Sequence, residues 1–457
     1  LGVVFVDDVM EVPEGRPLML SAHGSAPEVV AEARKRGGYV VDAVCPLVTK
    51  VHHEVRVRSD KGYRIVYVGH EGHEEAVGTM AVAPKKINLV AEVADVADLP
   101  EFDEPIARSA ANWITDRQND TAPWFLSVGL VNPHDVMWFP MDQPWYQEEN
   151  AEKVKALKDR YATYDWGRDD PLPAFNLPYE EWFTELPMNF HDDLHTKPDV
   201  HRRFMHEMSR SNGYLDPNDH DKWIRLLDYY LKLHQMSDES LSLILGALDD
   251  TDAWDNTIVI FTADHGDQCG SHGLRSKGPW NYEETMRIPL YVVAPGITKP
   301  GTVSEEMMSP IDLAATICEL GGIDNKNANL PGRSMLPMWS NPETSGRDFV
   351  LFAQDWAWYD GLVNTRDASR GIFDGRFKYS RYYGIGGSST TRGTPIEHPK
   401  VVGANSHFDD QEHELYDLRD DPGELVNLAM DRSRREEVRD WYHRLLAAET
   451  EEFASLA

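Results

Sequence analysis

Cysteine is scarce: the 457 residues hold three, Cys45, Cys269 and Cys318. Their odd number and wide spacing exclude a disulfide framework and point to a reducing, cytoplasmic compartment. Long apolar runs are missing too. No stretch approaches the roughly 20 apolar residues that span a bilayer, so no membrane partner is expected. Positive charge is short: 45 Lys and Arg stand against 77 Asp and Glu, a formal charge of −32. That balance argues against nucleic acid as a partner and says little about fold. The chain opens at Leu1 with neither Met nor a charged-then-apolar leader, and no signal peptide is read.

What is present centres on Thr257 to Gly296. The β-branched run Ile258-Val259-Ile260-Phe261 predicts a buried parallel strand. Asp264 and His265 stand at its carboxyl end, where open α/β sheets bind ligands, and an Asp-His pair there suits a metal. Gly266, Gly270 and Gly273 loosen the backbone that presents His272 and Lys277, and Leu290 to Val293 reads as a second strand. Each has a plainer alternative. Asp264 could cap the following turn, Lys277 could be a solvated cation, and His272 could be either a site residue or a packed one.

Residues 1 to about 100 alternate short apolar strands with amphipathic helices, the pattern of βαβ units on a parallel sheet. Strand tips carry His23, Cys45 and the pair His70 and His73, which suggests a site at one sheet edge. The segments "SAHGSAPEV", "DAVCPLVTKVHHEV" and "GHEGHEEAVGTM" resemble, in order and spacing, the middle of 4-hydroxy-3-methylbut-2-enyl diphosphate reductase, the LytB-type iron–sulfur enzyme of isoprenoid synthesis. The resemblance implies that Cys45 is one thiolate of a cluster, that His23 and His73 face a diphosphate, and that Glu75 delivers a proton. That family holds its cluster with three cysteines. The other two positions have no counterpart here, Cys269 and Cys318 lie in unrelated context, and no iron–sulfur cluster is expected in this chain. Asp7-Asp8 with Cys45-Pro46 also resembles a sulfatase opening, but "CPLVTK" lacks that family's spacer and Arg.

Beyond a join at "LPEFDEP", residues 105–120 read as a helix with Ile106, Ala110, Trp113 and Ile114 on one face. "APWFLSVGLVNPHDV" reads as a buried strand ending at His134, a residue that fits a turn as well as a site. Residues 140 to 220, rich in Trp, Tyr, Pro and Asp, read as a long insertion over the site. A long amphipathic helix is expected from Trp223, and another over "SPIDLAATICELGGI", with Cys318 a small core residue inside it. "GIFDGRFKYSRYY" reads as a hairpin about Asp374-Gly375, and a helix closes the chain.

From about residue 102 onward, "FLSVGLVNPHD", "DNTIVIFTADHGDQCGSHGLRSKG", "YEETMRIPLYVVAPG", "SPIDLAATICELGGI", "DGRFKYSRYY" and "ELYDLRDDPGELVNLA" resemble the sulfatases of the alkaline-phosphatase-like superfamily. The resemblance implies an α/β fold, a mainly parallel sheet sandwiched by helices, with a small antiparallel C-terminal subdomain and a separate βαβ fragment before it. Expected boundaries are 1–100, 101–369 and 370–457. It implies Asp264 and His265 as ligands of a divalent metal, calcium or manganese, Lys277 and His134 as contacts to the ester, and His272 as a helper. A small sulfate, phosphonate or phosphate ester is the implied substrate. The family's nucleophile motif, Cys/Ser-x-Pro-x-Arg, is nowhere in this sequence. Impaired turnover is therefore expected, since the parts of such a site act as a unit; the reductase, or an inactive chimeric reading frame, is the alternative.

Overall fold

The computed structural model describes residues 103–162, 170, 172–323, 330–354, 368–384 and 403–453, and pieces of the first hundred: 9–13, 15–16, 18–20, 27–36, 40–42, 55, 65–68 and 87–90. The chain divides into two compact units. The first takes Leu1–Asp135, Tyr164–Phe175 and Leu231–Ala253; the second takes Val136–Thr163, Asn176–Tyr230 and Trp254–Ala457. No helix among the described residues is long and apolar enough to cross a membrane.

In the first unit, β1 (Leu18–Leu20), α1 (Pro27–Lys35) and β2 (Val40–Asp42) form the expected βαβ arrangement, with β1 and β2 paired in parallel. β3 (Ile65–Val68) and β4 (Ile87–Val90) make a second parallel pair. Next comes α2 (Asp103–Asp116), whose Ala107, Ala110, Trp113 and Ile114 are buried at helical spacing. Residues 123–131 correct an expectation. They were expected as a buried strand, yet no described strand pairs with them, and Trp124 and Phe125 are exposed. Alternating exposure from Phe125 to Leu130 shows that the period-2 pattern is real. A strand is completed by a neighbour's hydrogen bonds, and its own sequence does not supply one.

Residues 140–220, which fall mostly in the second unit, are more regular than expected: α3 (Pro144–Glu149), α4 (Ala151–Tyr161) and α5 (Asp199–Asn212) lie within them. α5 buries Val200, Phe204 and Met208, a stripe at four-residue spacing among charged neighbours. α6 (His220–Asp250) is the expected long helix and runs through both units. Its stripe of Leu226, Tyr229, Leu233, Met236, Ser240 and Ala247 is buried.

β5 (Val259–Thr262) pairs antiparallel with β6 (Leu290–Val293), not parallel, and the pair is not buried: Phe261, Tyr291 and Val293 are 39%, 68% and 47% exposed. The only α-helix in the connection is α7 (Glu283–Met286), a single turn. It is too short to carry the chain back to the starting edge, so β6 returns alongside β5 in the opposite sense. α8 (Ile311–Leu320) and α9 (Leu336–Ser340) follow.

The closing subdomain is a four-stranded antiparallel sheet in the order β10 (Glu412–Asp417), β9 (Phe377–Tyr383), β8 (Ala368–Phe373), β7 (Val350–Gln354). β8 and β9 form the predicted hairpin, with Gly375 at φ +91° in its turn. Alternation buries both faces. Tyr379 and Leu415 pack with Val438, Trp441, Leu445 and Ala448 of α10 (Arg435–Phe453), while Tyr382 and Tyr416 join Phe204, Trp280 and Tyr282 on the other side.

Candidate functional site

The loop from β5 to β6 is a strained backbone held by side chains. Cys269, His272 and Ser276 are non-glycine residues in the left-handed region, at φ 40°, 57° and 66°, with Gly270 and Gly273 at 101° and 63°. Such conformations cost on the order of 1 kcal/mol or more each and persist only where the surroundings impose them. Asp267 supplies part of that imposition: its Oδ1 accepts the amides of Cys269 and Ser276, each at 2.9 Å, and the Cys269 thiol at 3.2 Å. The Gly266 amide donates to Thr285 O at 2.8 Å, and Gln268 Nε2 to Thr285 Oγ1 at 2.8 Å, which seats the loop on α7. Buried Arg275 donates to the carbonyls of Phe139 and Gly213.

Asp264 and His265 emerge from this loop side by side. Asp264 is exposed; its Oδ1 accepts the amide of the adjacent His265 at 2.9 Å, and its Oδ2 lies 3.4 Å from His265 Nε2. His265 Nδ1 lies 2.8 Å from Gly266 O. That contact leaves Nε2 as the ring nitrogen on the carboxylate side, and a carbonyl behind the other ring nitrogen is how metal-binding imidazoles are commonly oriented. Two donors do not make a resident metal centre, and among the described residues no group of three His, Cys, Asp or Glu side chains converges. Lys277 is half-buried. Burial lowers its pKa, while the charges of Asp264 and Asp267 pull the other way, and the net direction is downward.

His272 faces inward. Its Nδ1 lies 2.8 Å from Asp192 Oδ2, its side chain is 0% exposed, and its ring stacks on Tyr282 at 3.9 Å. Asp192 lies 3.5 Å from Lys197, whose Nζ donates to Tyr416 Oη, Glu424 O and Leu425 O at 2.9, 2.5 and 3.2 Å. Burial pushes the Asp192 pKa up, but the His272 hydrogen bond and the Lys197 charge outweigh it and hold the carboxyl below its ordinary range.

His134 belongs to the first unit, partly exposed, with Nδ1 3.5 Å from Asp135 Oδ1. Asp103 at the start of α2 fixes its approach by accepting the Val131 and Asn132 amides. Cys269 and Cys318 are buried and outside any disulfide, and burial raises the Cys269 pKa well above its usual value. His23, Cys45, His73 and Glu75 lie outside the described residues. Asp192, Lys197, Asp267 and Arg275 were missed from the sequence. Asp267, three residues past Asp264, was the one within reach of a local argument, as an Asx-turn acceptor.

Residues 1–121 match the family model "LytB protein", and residues 270–388 match "N-sulphoglucosamine sulphohydrolase, C-terminal". The chain thus joins a LytB-type segment to a segment of sulfatase lineage. A 4-hydroxy-3-methylbut-2-enyl diphosphate reductase of Rhodopirellula baltica is 52% identical over 159 residues, 35% of this chain and 49% of that protein. The chain spans about a third to a half of the length of the curated relatives it matches. Among solved structures, a 2-O GAG sulfatase superposes with TM-score 0.60 at 19% identity, covering 94% of this chain and 77% of that one. A phosphonate monoester hydrolase of Agrobacterium radiobacter gives TM-score 0.52 at 19% identity, covering 96% and 78%. At such identity the likeness speaks for the fold, which is α/β and sulfatase-like with a small antiparallel C-terminal subdomain.

Proposed function

We propose that residues 101–457 are a sulfatase-lineage hydrolase segment, a core followed by a C-terminal subdomain whose sheet starts at Val350 rather than at the expected boundary of 370, and that it retains one side of an ester site and turns over poorly. The substrate class is a small sulfate ester or a phosphonate or phosphate relative. The observation that carries the reading is the Asp264–His265 pair on the same loop as a half-buried lysine whose charge faces Asp264 and Asp267. Lys277 supplies the cation for a non-bridging oxygen, and the two donors bind Ca²⁺ or Mn²⁺ weakly, with the remaining positions left to water or substrate. His272 is too deeply buried to touch an ester, and His134 keeps the part of a second contact to the ester that the resemblance implies. Without a Cys/Ser-x-Pro-x-Arg nucleophile, hydrolysis of an aryl sulfate or aryl phosphonate by the full chain stays at background with Ca²⁺ or Mn²⁺. Metal-dependent turnover that Asp264→Ala abolishes would show the site to be complete and overturn the impairment.

The first hundred residues support a second reading, an isoprenoid-type reductase segment, on the strength of the LytB match. One thiolate, Cys45, does not retain an iron–sulfur cluster. Anaerobically purified protein is expected to be colourless and iron-free, and stoichiometric iron would reverse that conclusion.

A further inference from the structure

The strained loop between Gly266 and Lys277 is held by its own Asp267 and, from outside, by Asp192 through His272. Asp192 is fixed in turn by Lys197, and Lys197 is fixed by the carbonyls of Glu424 and Leu425. Those carbonyls belong to the turn "DPGELVN", residues 421–427. There Asp421 accepts the Leu425 and Val426 amides, and the Asn427 amide group donates to Thr196 O at 2.7 Å and His413 O at 3.0 Å. A continuous set of buried polar contacts therefore runs from a turn late in the chain to the loop that carries Lys277. A buried Lys–Asp–His set costs desolvation that an apolar replacement would avoid, so its presence calls for a positional reason.

We infer that Lys197, Asp192 and His272 form a positioning relay, anchored on the 421–427 turn, that imposes the left-handed backbone at 269–276 and so fixes Lys277 relative to Asp264. The inference rests on the reading of that loop as an anion site for its purpose, but not for its test. Each link has a specific chemical demand. Asp192 must be ionised to hold both His272 and Lys197. His272 must present a donor at the Nδ1 position from a residue that tolerates φ 57°, which selects Asn over other replacements, because Asn places an N–H there and enters the left-handed region readily.

The test is hydrogen exchange, followed by mass spectrometry, on the full chain and its variants. Asp192→Asn keeps the shape and removes the charge; peptides covering 266–277 are expected to exchange about tenfold faster, while those covering 368–383 and 435–453 are unchanged. His272→Asn, in the parent background, is expected to keep exchange in 266–277 slow, and His272→Leu, closer to the ring in volume, is not. A purely packing role for His272 reverses that order, so slow exchange in His272→Leu overturns the inference, as does uniform acceleration across both regions in Asp192→Asn. Inorganic sulfate provides a separate arm. If it protects 264–277 in the parent chain, the anion reading gains support. If sulfate gives no protection while Asp192→Asn still loosens the loop selectively, the anion reading fails and the relay stands.

Discussion

The backbone of Gly266 rests against Glu284 so closely that a Cβ built at 266 would lie 2.0 Å from the Glu284 carbonyl oxygen and 3.5 Å from the Cα of Thr285. The neighbour is main chain, so no side-chain rotation relieves the contact. The Gly266 amide meanwhile donates to Thr285 O, which ties Asp264 and His265 to α7. Gly266→Ala must therefore break this seat. It is expected to cost on the order of 3 kcal/mol, the upper end for overpacking in a well-packed region. Chemical denaturation would show it as a lower midpoint, and a change within about 0.5 kcal/mol would contradict the packing described.

His201 should make the fold acid-sensitive. It is fully buried in α5, edge-on to Trp280, Tyr282 and Tyr382. Burial lowers its pKa to about 4, against the pull of Glu414. The sign follows from the depressed value: between pH 6.5 and 4 the unfolded chain binds the proton and the folded chain does not. Stability from the neutral ring is present above that window and is lost as pH falls through it, on the order of 3 kcal/mol in all. His201→Gln should flatten the pH dependence of the urea midpoint from pH 6.5 downward, whatever it does to absolute stability. An unchanged slope would mean that His201 is protonated in the fold. His413, held between Tyr379 Oη and Phe408 O at 2.8 and 2.9 Å and also lowered to about 4, adds to the same trend.

Local patterns carried the parts of the site that are local. The Asp264-His265 pair, the glycines after it and Lys277 are contiguous, and the α6, α8 and α10 stripes and the Asp374-Gly375 hairpin are written in short-range spacing. Pairing was not legible. Ile258 to Phe261 reads as a strand, but whether its neighbour runs parallel depends on the length of the connecting helix, and Phe125 to Leu130 has the alternation of a strand with no described partner to complete it. The support of the site was not legible either. Asp192, Lys197 and Glu424 are far apart in sequence and carry no local sign that they meet, and only the fold brings them beneath the loop. His272 illustrates the limit: nothing about its sequence neighbours distinguishes a ligand from a ring stacked on Tyr282.

Glu424 should work in the opposite direction to His201. It is 1% exposed, lies at φ 52°, and accepts the Glu283 amide at 2.7 Å beside Lys378. Burial raises its pKa to about 7, and the Lys378 charge and the Glu283 amide only partly offset this. Because the folded value exceeds the ordinary 4.5, the folded chain holds a proton that the unfolded chain has released across that window. Stability from this group is therefore greatest at low pH and declines as pH rises from about 4.5 to about 7. Glu424→Gln, which mimics the protonated form, should remove that decline, so that the variant gains on the parent as pH rises. A parent-minus-variant difference that stays constant from pH 5 to 8 would place the carboxylate's titration outside the window.

Arg347 is a buried electrostatic clasp in the second unit. Its Nε and Nη2 donate to the two oxygens of Asp312 at 2.7 and 2.6 Å, and Nη1 reaches both oxygens of Glu452 at 2.9 and 3.0 Å. All three side chains are buried, so α8 and α10 are joined through one guanidinium whose planar fork fits two carboxylates at once. Removing the cation leaves Asp312 and Glu452 as buried charges without compensation, and Arg347→Met is expected to cost about 3–5 kcal/mol. Lysine restores the charge but cannot meet both carboxylates bidentately, so Arg347→Lys should recover less than half of that loss. Asp312 also accepts the Ser309 and Arg333 amides at 3.0 and 2.8 Å, so Asp312→Asn should be costly in its own right. If the clasp acts as a unit, the double variant Arg347→Met with Glu452→Gln should be closer in stability to the single Arg347→Met than the sum of the two, a coupling that a double-mutant cycle measures directly.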